Sequence, residues 1–196
     1  MSFTLYGLIN SYFLGPLGEV PLAAASLTMS ISIILYGALF GLVGPIGYFI
    51  GTAYGADDAK KISEVIKHGV VLGLGAGLLG FILMALVLLV LPFMGQPLEV
   101  LQVITPYWLL SGASMIPFFM SFVFKQFYDS TNRPWTGTVL SLIPVVVSIP
   151  LTWIFVTGQF GLPALGLTGA GVSAVLAGLI GVAIMASHFY FTPAHA

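Results

Sequence analysis

Charged residues stand so far apart in this chain that long stretches carry none. Met1–Gly18, Val20–Ala56, Gly69–Leu98, Val100–Phe124 and Pro134–Ser187 contain no Asp, Glu, Lys or Arg. A helix needs about 20 apolar residues to cross a hydrocarbon core of roughly 30 Å. Backbone groups in lipid must be satisfied internally, which leaves only helices or closed barrels. Lipid-facing barrel strands alternate apolar and polar residues, and these stretches do not. The chain therefore reads as an all-α integral membrane protein. Composition excludes the soluble alternative: 59% of the 196 residues are hydrophobic and 6% are charged, against about 25% charged in a soluble domain.

The expected helices cover roughly residues 1–14, 22–54, 66–93, 100–129, 135–157 and 168–191. The last charge-free stretch is too long for one span and breaks at the turn cluster Gly158-Gln-Phe-Gly-Leu-Pro163. Residues 1–14 extend only about 21 Å as a helix, so they read as the second part of a helix whose beginning is missing. The expected architecture is a six-helix transmembrane bundle with an incomplete first helix, one lobe over residues 1–196. The start lacks a basic n-region and does not read as a cleavable signal peptide. All 5 basic residues fall in two places: Lys60, Lys61 and Lys67 after the second span, and Lys125 with Arg133 around the end of the fourth. By the positive-inside rule both face the cytoplasm, and two spans between them agree with six helices.

Several features point to packing or to a cavity. Gly37, Gly41, Gly44, Gly47, Gly51 and Gly55 recur at helical spacing in the second span, as do Gly69, Gly73 and Gly77 in the third and Gly171, Ala174, Gly178 and Gly181 in the sixth. Such stripes let neighbouring backbones approach closely, and they can also line a path for substrate. In the fifth span Pro144, Ser148 and Thr152 share a face, near Pro150. Their hydroxyls either satisfy a proline-kinked backbone or line a cavity. Asn10 is the one strongly polar side chain inside the first span. Its amide can bond a neighbouring helix or a substrate. Lys125 and Asp129 form an i, i+4 pair, read as an interfacial ion pair or a contact at a cytoplasmic gate. After the loop Gly55–Asp58, Ser63 is a candidate cap for the next helix.

Enzyme signatures are absent. His68, His188 and His195 have no metal-ligand spacing and sit near expected helix ends or in the tail. No nucleophile elbow, P-loop or HExxH motif occurs. There is no cysteine, and 5 basic residues cannot build a nucleic-acid footprint. No cofactor or metal is expected. All 6 carboxylates fall at loops or helix ends, which leaves no intramembrane acid pair to relay an ion.

Gly15-Pro-Leu-Gly18 followed by Leu22-Ala-Ala-Ala-Ser-Leu27 resembles the first external loop of the multidrug and toxic-compound extrusion (MATE) transporters. Gly41-Leu42 with Gly55-Ala-Asp57 looks like the end of that family's second helix and its first cytoplasmic loop. Asn132-Arg-Pro134 is similar to its turn before helix 5. Pro150-Leu151, Gly158, Gly161, Pro163, Leu165-Gly166 and Gly169-Ala170 resemble the segment joining helices 5 and 6. The four pieces occur in order over nearly the whole chain. The resemblance implies the N-terminal lobe of a twelve-helix, two-lobe exporter of cationic or amphipathic compounds, driven by a proton or sodium gradient. It also implies alternating access and a missing second lobe. The sequence departs from the family pattern where coupling matters. Asn10 stands where the family commonly has Asp, Ser148 and Thr152 where it has Asn followed by Asn or Asp, and Ala174, beside Ser173, where it has Thr. These changes remove titratable groups and keep some hydrogen-bonding capacity.

The leading expectation is thus a lobe of a secondary transporter in the cell membrane, with a bacterial or archaeal inner membrane as the expected home. It would export amphipathic or cationic small molecules by antiport with H+ or Na+, and Asn10, Ser148 and Thr152 would contact the substrate. The expected partners are the lipid bilayer, the small molecule, and a second lobe or a homodimer partner. Two alternatives stand beside it: a flippase for a lipid-linked saccharide, and a truncated assembly partner that does not transport.

Overall fold

The computed structural model describes residues 2–161 and 163–191. Among them the chain forms α-helices and no strand: α1 Ser2–Leu14, α2 Glu19–Val43, α3 Pro45–Gly55, α4 Ala59–Val90, α5 Leu98–Ser130, α6 Pro134–Thr157 and α7 Leu167–Phe191. Short 3-10 turns follow α1 and α4 at Gly15–Leu17 and Leu91–Met94. Helices α2 and α3 are two pieces of one span, Glu19–Gly55. This span and α4, α5, α6 and α7 are each long and apolar enough to cross a membrane. The shorter α1 completes a six-helix lobe. His195 lies outside the described residues, as does Leu162 of the expected turn.

Two boundaries differ from the expected ones for local reasons. Helix α4 begins at Ala59 because Asp58 caps it, its carboxylate accepting from the Lys61 amide at 2.9 Å. Ser63, the expected cap, lies inside the helix. The chain reverses just before, at Asp57, which adopts a left-handed φ of 55°, a conformation that Asp tolerates better than most residues. Lys60, Lys61 and Lys67 therefore ride on the first turns of α4.

The second difference divides the expected helix 22–54. Pro45 has no N–H to continue the backbone ladder, and α2 ends at Val43. Side chains from α5 bond the backbone at the break. Gln126 Nε2 donates to Gly44 O at 3.0 Å, and Ser130 Oγ donates to Gly47 O at 2.9 Å.

Helix α5 is the centre of the lobe, with α4 and α7 packed along it. Glycines make that approach possible on both sides. A methyl group on Gly77 would sit 2.5 Å from Ile116 Cα, and one on Gly73 would sit 2.9 Å from Phe119 O. On α7, Gly171 and Gly178 face Leu110 and Pro117 of α5 at similar range, and Gly181 faces Pro144 of α6. Trp108 is fully buried and donates its indole N–H to Met84 O at 2.7 Å, tying α5 to α4. The α2 stripe behaves differently: a methyl group added to Gly37 or Gly41 would meet nothing within 4 Å. Their face is open.

Candidate functional site

Gly37, on that open face, lies on the wall of a large cavity. It has a volume of about 620 Å³ and is walled by α2, α5, α6 and α7. Its lining is aromatic because Tyr36 and Phe40 on α2, and Phe118 and Phe122 on α5, each recur after four residues and so share a helix face. The rings interlock: Phe118 meets Tyr36 edge-on at 4.7 Å, and Phe40 lies 4.8 Å from Phe122. Such offset and edge-to-face contacts are the favoured aromatic arrangements. Gly37, Pro144 and Gly178 complete parts of the wall without bulk. Among the described residues Lys125 is the one charged group on this wall, and it is ion-paired with Asp129 on the same helix.

The smaller cavity, about 110 Å³, lies among α1, α2, α5 and α7. Among the described residues its wall carries no charge, and it mixes polar side chains, Asn10, Ser11, Thr28, Ser32, Tyr107 and Ser111 among them, with a mainly apolar surface. Asn10 Oδ1 is buried and has no hydrogen-bond partner among the described residues. Several hydroxyls have their protons committed to backbone. Thr28 Oγ1 donates to Ala24 O at 2.8 Å, and Ser114 Oγ donates to Ser111 O at 2.7 Å.

Of the expected site residues, the structure brings Asn10 onto a cavity wall. Ser148 and Thr152 are fully buried beside α7 and are on the wall of neither cavity. Ser148 Oγ donates to Val145 O at 2.7 Å, a bond within its own helix. Thr152 and Ser173 share a hydroxyl hydrogen bond at 2.8 Å, and Ser173 also donates to Ala170 O at 2.8 Å. The pair joins α6 to α7. At the basic end of the lobe, the Tyr128 hydroxyl and His188 Nδ1 are hydrogen-bonded at 2.7 Å, joining α5 to α7. His188 thus has a partner within the bundle. Sequence reasoning missed the aromatic wall, although Tyr36-x-x-x-Phe40 and Phe118-x-x-x-Phe122 were its visible signal.

The MatE family model matches residues 1–154. The chain belongs to the MatE family. It is 28% identical over 172 residues to the "Probable multidrug resistance protein NorM" of Neisseria meningitidis serogroup A, with 85% of this chain and 37% of that protein covered. Its fold is similar to two solved structures of multidrug resistance MATE family transporters. One is outward-facing, with TM-score 0.83 and 20% identity, and the other inward-facing, with TM-score 0.82 and 21% identity. Each covers 97% of this chain, which spans 42% and 43% of those chains. The MatE chain described here therefore spans about two fifths of the length of the relatives it matches. It is a multi-pass membrane protein whose helices form one MATE-type lobe.

Proposed function

We propose that this chain is one lobe of a secondary transporter that exports amphipathic or cationic small molecules by alternating access. The observation that carries the reading is the aromatic cavity of about 620 Å³ between α2, α5, α6 and α7. Its size falls within the roughly 300–1,000 Å³ range of small-molecule sites, and its wall has the mainly apolar character of such sites. The similar fit of the lobe to outward- and inward-facing structures supports rocking of whole lobes rather than rearrangement within one.

A second lobe, or a second copy in its place, would close the cavity from the other side. The multi-pass chain would sit in a bacterial or archaeal inner membrane with its basic loops in the cytoplasm. Asn10 would contact the cargo directly, and Thr152, through Ser173, would hold α6 and α7 in register. No carboxylate lines either cavity among the described residues. Coupling to H+ or Na+ would then use either the uncharged oxygens of this lobe or a group in the partner lobe. A lipid-linked saccharide is the weaker candidate cargo, because the larger cavity's wall offers aromatic and aliphatic surface where a glycan needs hydroxyl and amide partners.

The test is uptake of a fluorescent amphiphile into everted vesicles carrying the chain. Uptake should rise when a proton or sodium gradient is imposed and fall when the gradient is collapsed. Uptake indifferent to every gradient would overturn the antiport reading.

A further inference from the structure

The larger cavity ends at a charge. On α5 its wall runs from Ser114 to Lys125, the last residue of that helix to line it. Asp129, the ion-pair partner, lies one turn further along α5 and is not on the wall. Its Oδ1 is packed toward α6, 3.2 Å from where a methyl group on Gly137 would sit. The pair therefore turns its cationic end to the cavity and its anionic end away from it. We infer that the cavity seats an amphipathic anion, with a carboxylate or similar group at Lys125 and apolar rings against Phe40, Phe118 and Phe122. The inference rests on the transporter reading and narrows its cargo, and binding at this seat is measured apart from transport.

Charge favours an anion. Among the described residues no carboxylate lines this cavity, so a cation brought into it gives up hydration and meets only another cation. The ring faces attract a cation on their own, and Lys125 on the same wall opposes that attraction. An anion meets the opposite sign.

Donors stand beside the charge. Lys125 Nζ has three N–H donors and gives one to Asp129 Oδ2. Ser121 lies one turn before Lys125 on the same face of α5. It lines the same cavity, is half-buried, and its hydroxyl has no hydrogen-bond partner among the described residues. Two side chains on one helix face can thus donate to one anion, and hydrogen bonds to a charged acceptor are the stronger ones. Position lowers the cost. The Lys125 and Asp129 side chains are 33% and 32% exposed, so an anion here keeps part of its hydration while its apolar body lies along the rings. The same exposure screens the attraction, which makes the expected effects several-fold.

Naphthylacetate, naphthylacetamide and naphthylethylammonium share one ring system and differ in charge. Binding of each to the full chain in phosphatidylcholine nanodiscs is measured by equilibrium dialysis at neutral pH, with uptake by protein-free nanodiscs subtracted. The carboxylate should bind saturably and about fivefold more tightly than the amide, and the ammonium more weakly than the amide. Lys125→Gln should weaken the carboxylate about fivefold and leave the amide unchanged. Ser121→Ala should act in the same direction by about threefold, and it serves if Lys125→Gln fails to fold. Asp129→Asn releases Lys125 and should tighten the carboxylate about twofold. If the ion pair only holds the helix end together, Lys125→Gln and Asp129→Asn weaken carboxylate and amide alike, which overturns the seat. Gradient-driven uptake of a fluorescent amphiphile, followed in vesicles carrying the same chain, keeps the two readings separate. An amide or ammonium that binds as tightly as the carboxylate overturns the anion class and leaves the transporter reading standing. So does a carboxylate that fails to bind saturably while uptake persists. A carboxylate bound through Lys125 in a chain without gradient-driven uptake upholds the seat and counts against the transporter reading. Absence of both binding and uptake overturns both.

Discussion

At Gly77 a single missing methyl group decides how closely two helices meet. A Cβ there would lie 2.5 Å from backbone Ile116 Cα, which cannot swing away as a flexible side chain could. Gly77→Ala should therefore destabilise the lobe by roughly 1–3 kcal/mol, the usual cost of overpacking a well-filled interface. Gly41→Ala, with nothing within 4 Å of the added carbon, should leave stability unchanged or slightly higher. Thermal unfolding of both variants in the same detergent checks the pair, and equal melting shifts would contradict it. Sequence spacing alone could not separate these two glycines. Helical periodicity shows that residues share a face, but not whether a backbone or an open cavity stands opposite. The same limit applies to hydroxyls. Ser148 and Thr152 read as a polar face, yet Ser148 bonds its own helix and Thr152 bonds Ser173. Asn10 was legible as the first span's one strongly polar group, and it lies on a cavity wall.

At the scale of the element, the charge-free stretches revealed the helices because lipid permits little else. They did not reveal the break at Gly44-Pro45. A proline in an apolar stretch is ambiguous: Pro106 and Pro117 lie inside an unbroken α5, and Pro144 and Pro150 inside α6. What distinguishes Pro45 is tertiary, since Gln126 and Ser130 reach from α5 to bond Gly44 O and Gly47 O. Removing the first bond in Gln126→Leu should loosen the join by about 1 kcal/mol. Amide hydrogen exchange should then quicken several-fold across residues 46–51 and stay unchanged in α7. Exchange unchanged at the break would mean that the α5 side chains do not hold it. The start of α4 shows a related limit. Ser63 and Asp58 are both competent caps by residue type, and only the reversal at Asp57 selects Asp58.

For the whole molecule, six helices, their order and the clustering of basic residues at one end were legible in the sequence, since each follows from where charges cannot go. The cavity was not, because its walls come from four helices that no local pattern links. Tyr36 and Phe40 meet Phe118 and Phe122 only after α2 folds against α5. If the transported molecule sits between these rings, it must shield the wall they belong to, and the absence of cysteine makes that directly testable. Ser121→Cys places one thiol on the aromatic cavity's wall, and Trp135→Cys places one on the exposed start of α6. Both are labelled with a membrane-impermeant maleimide in everted vesicles, with and without a saturating amphiphile that the vesicles accumulate. The amphiphile should slow labelling at position 121 at least fivefold and leave position 135 unaffected. Labelling at 121 that proceeds at the same rate with the amphiphile present would contradict a cargo seated between the rings.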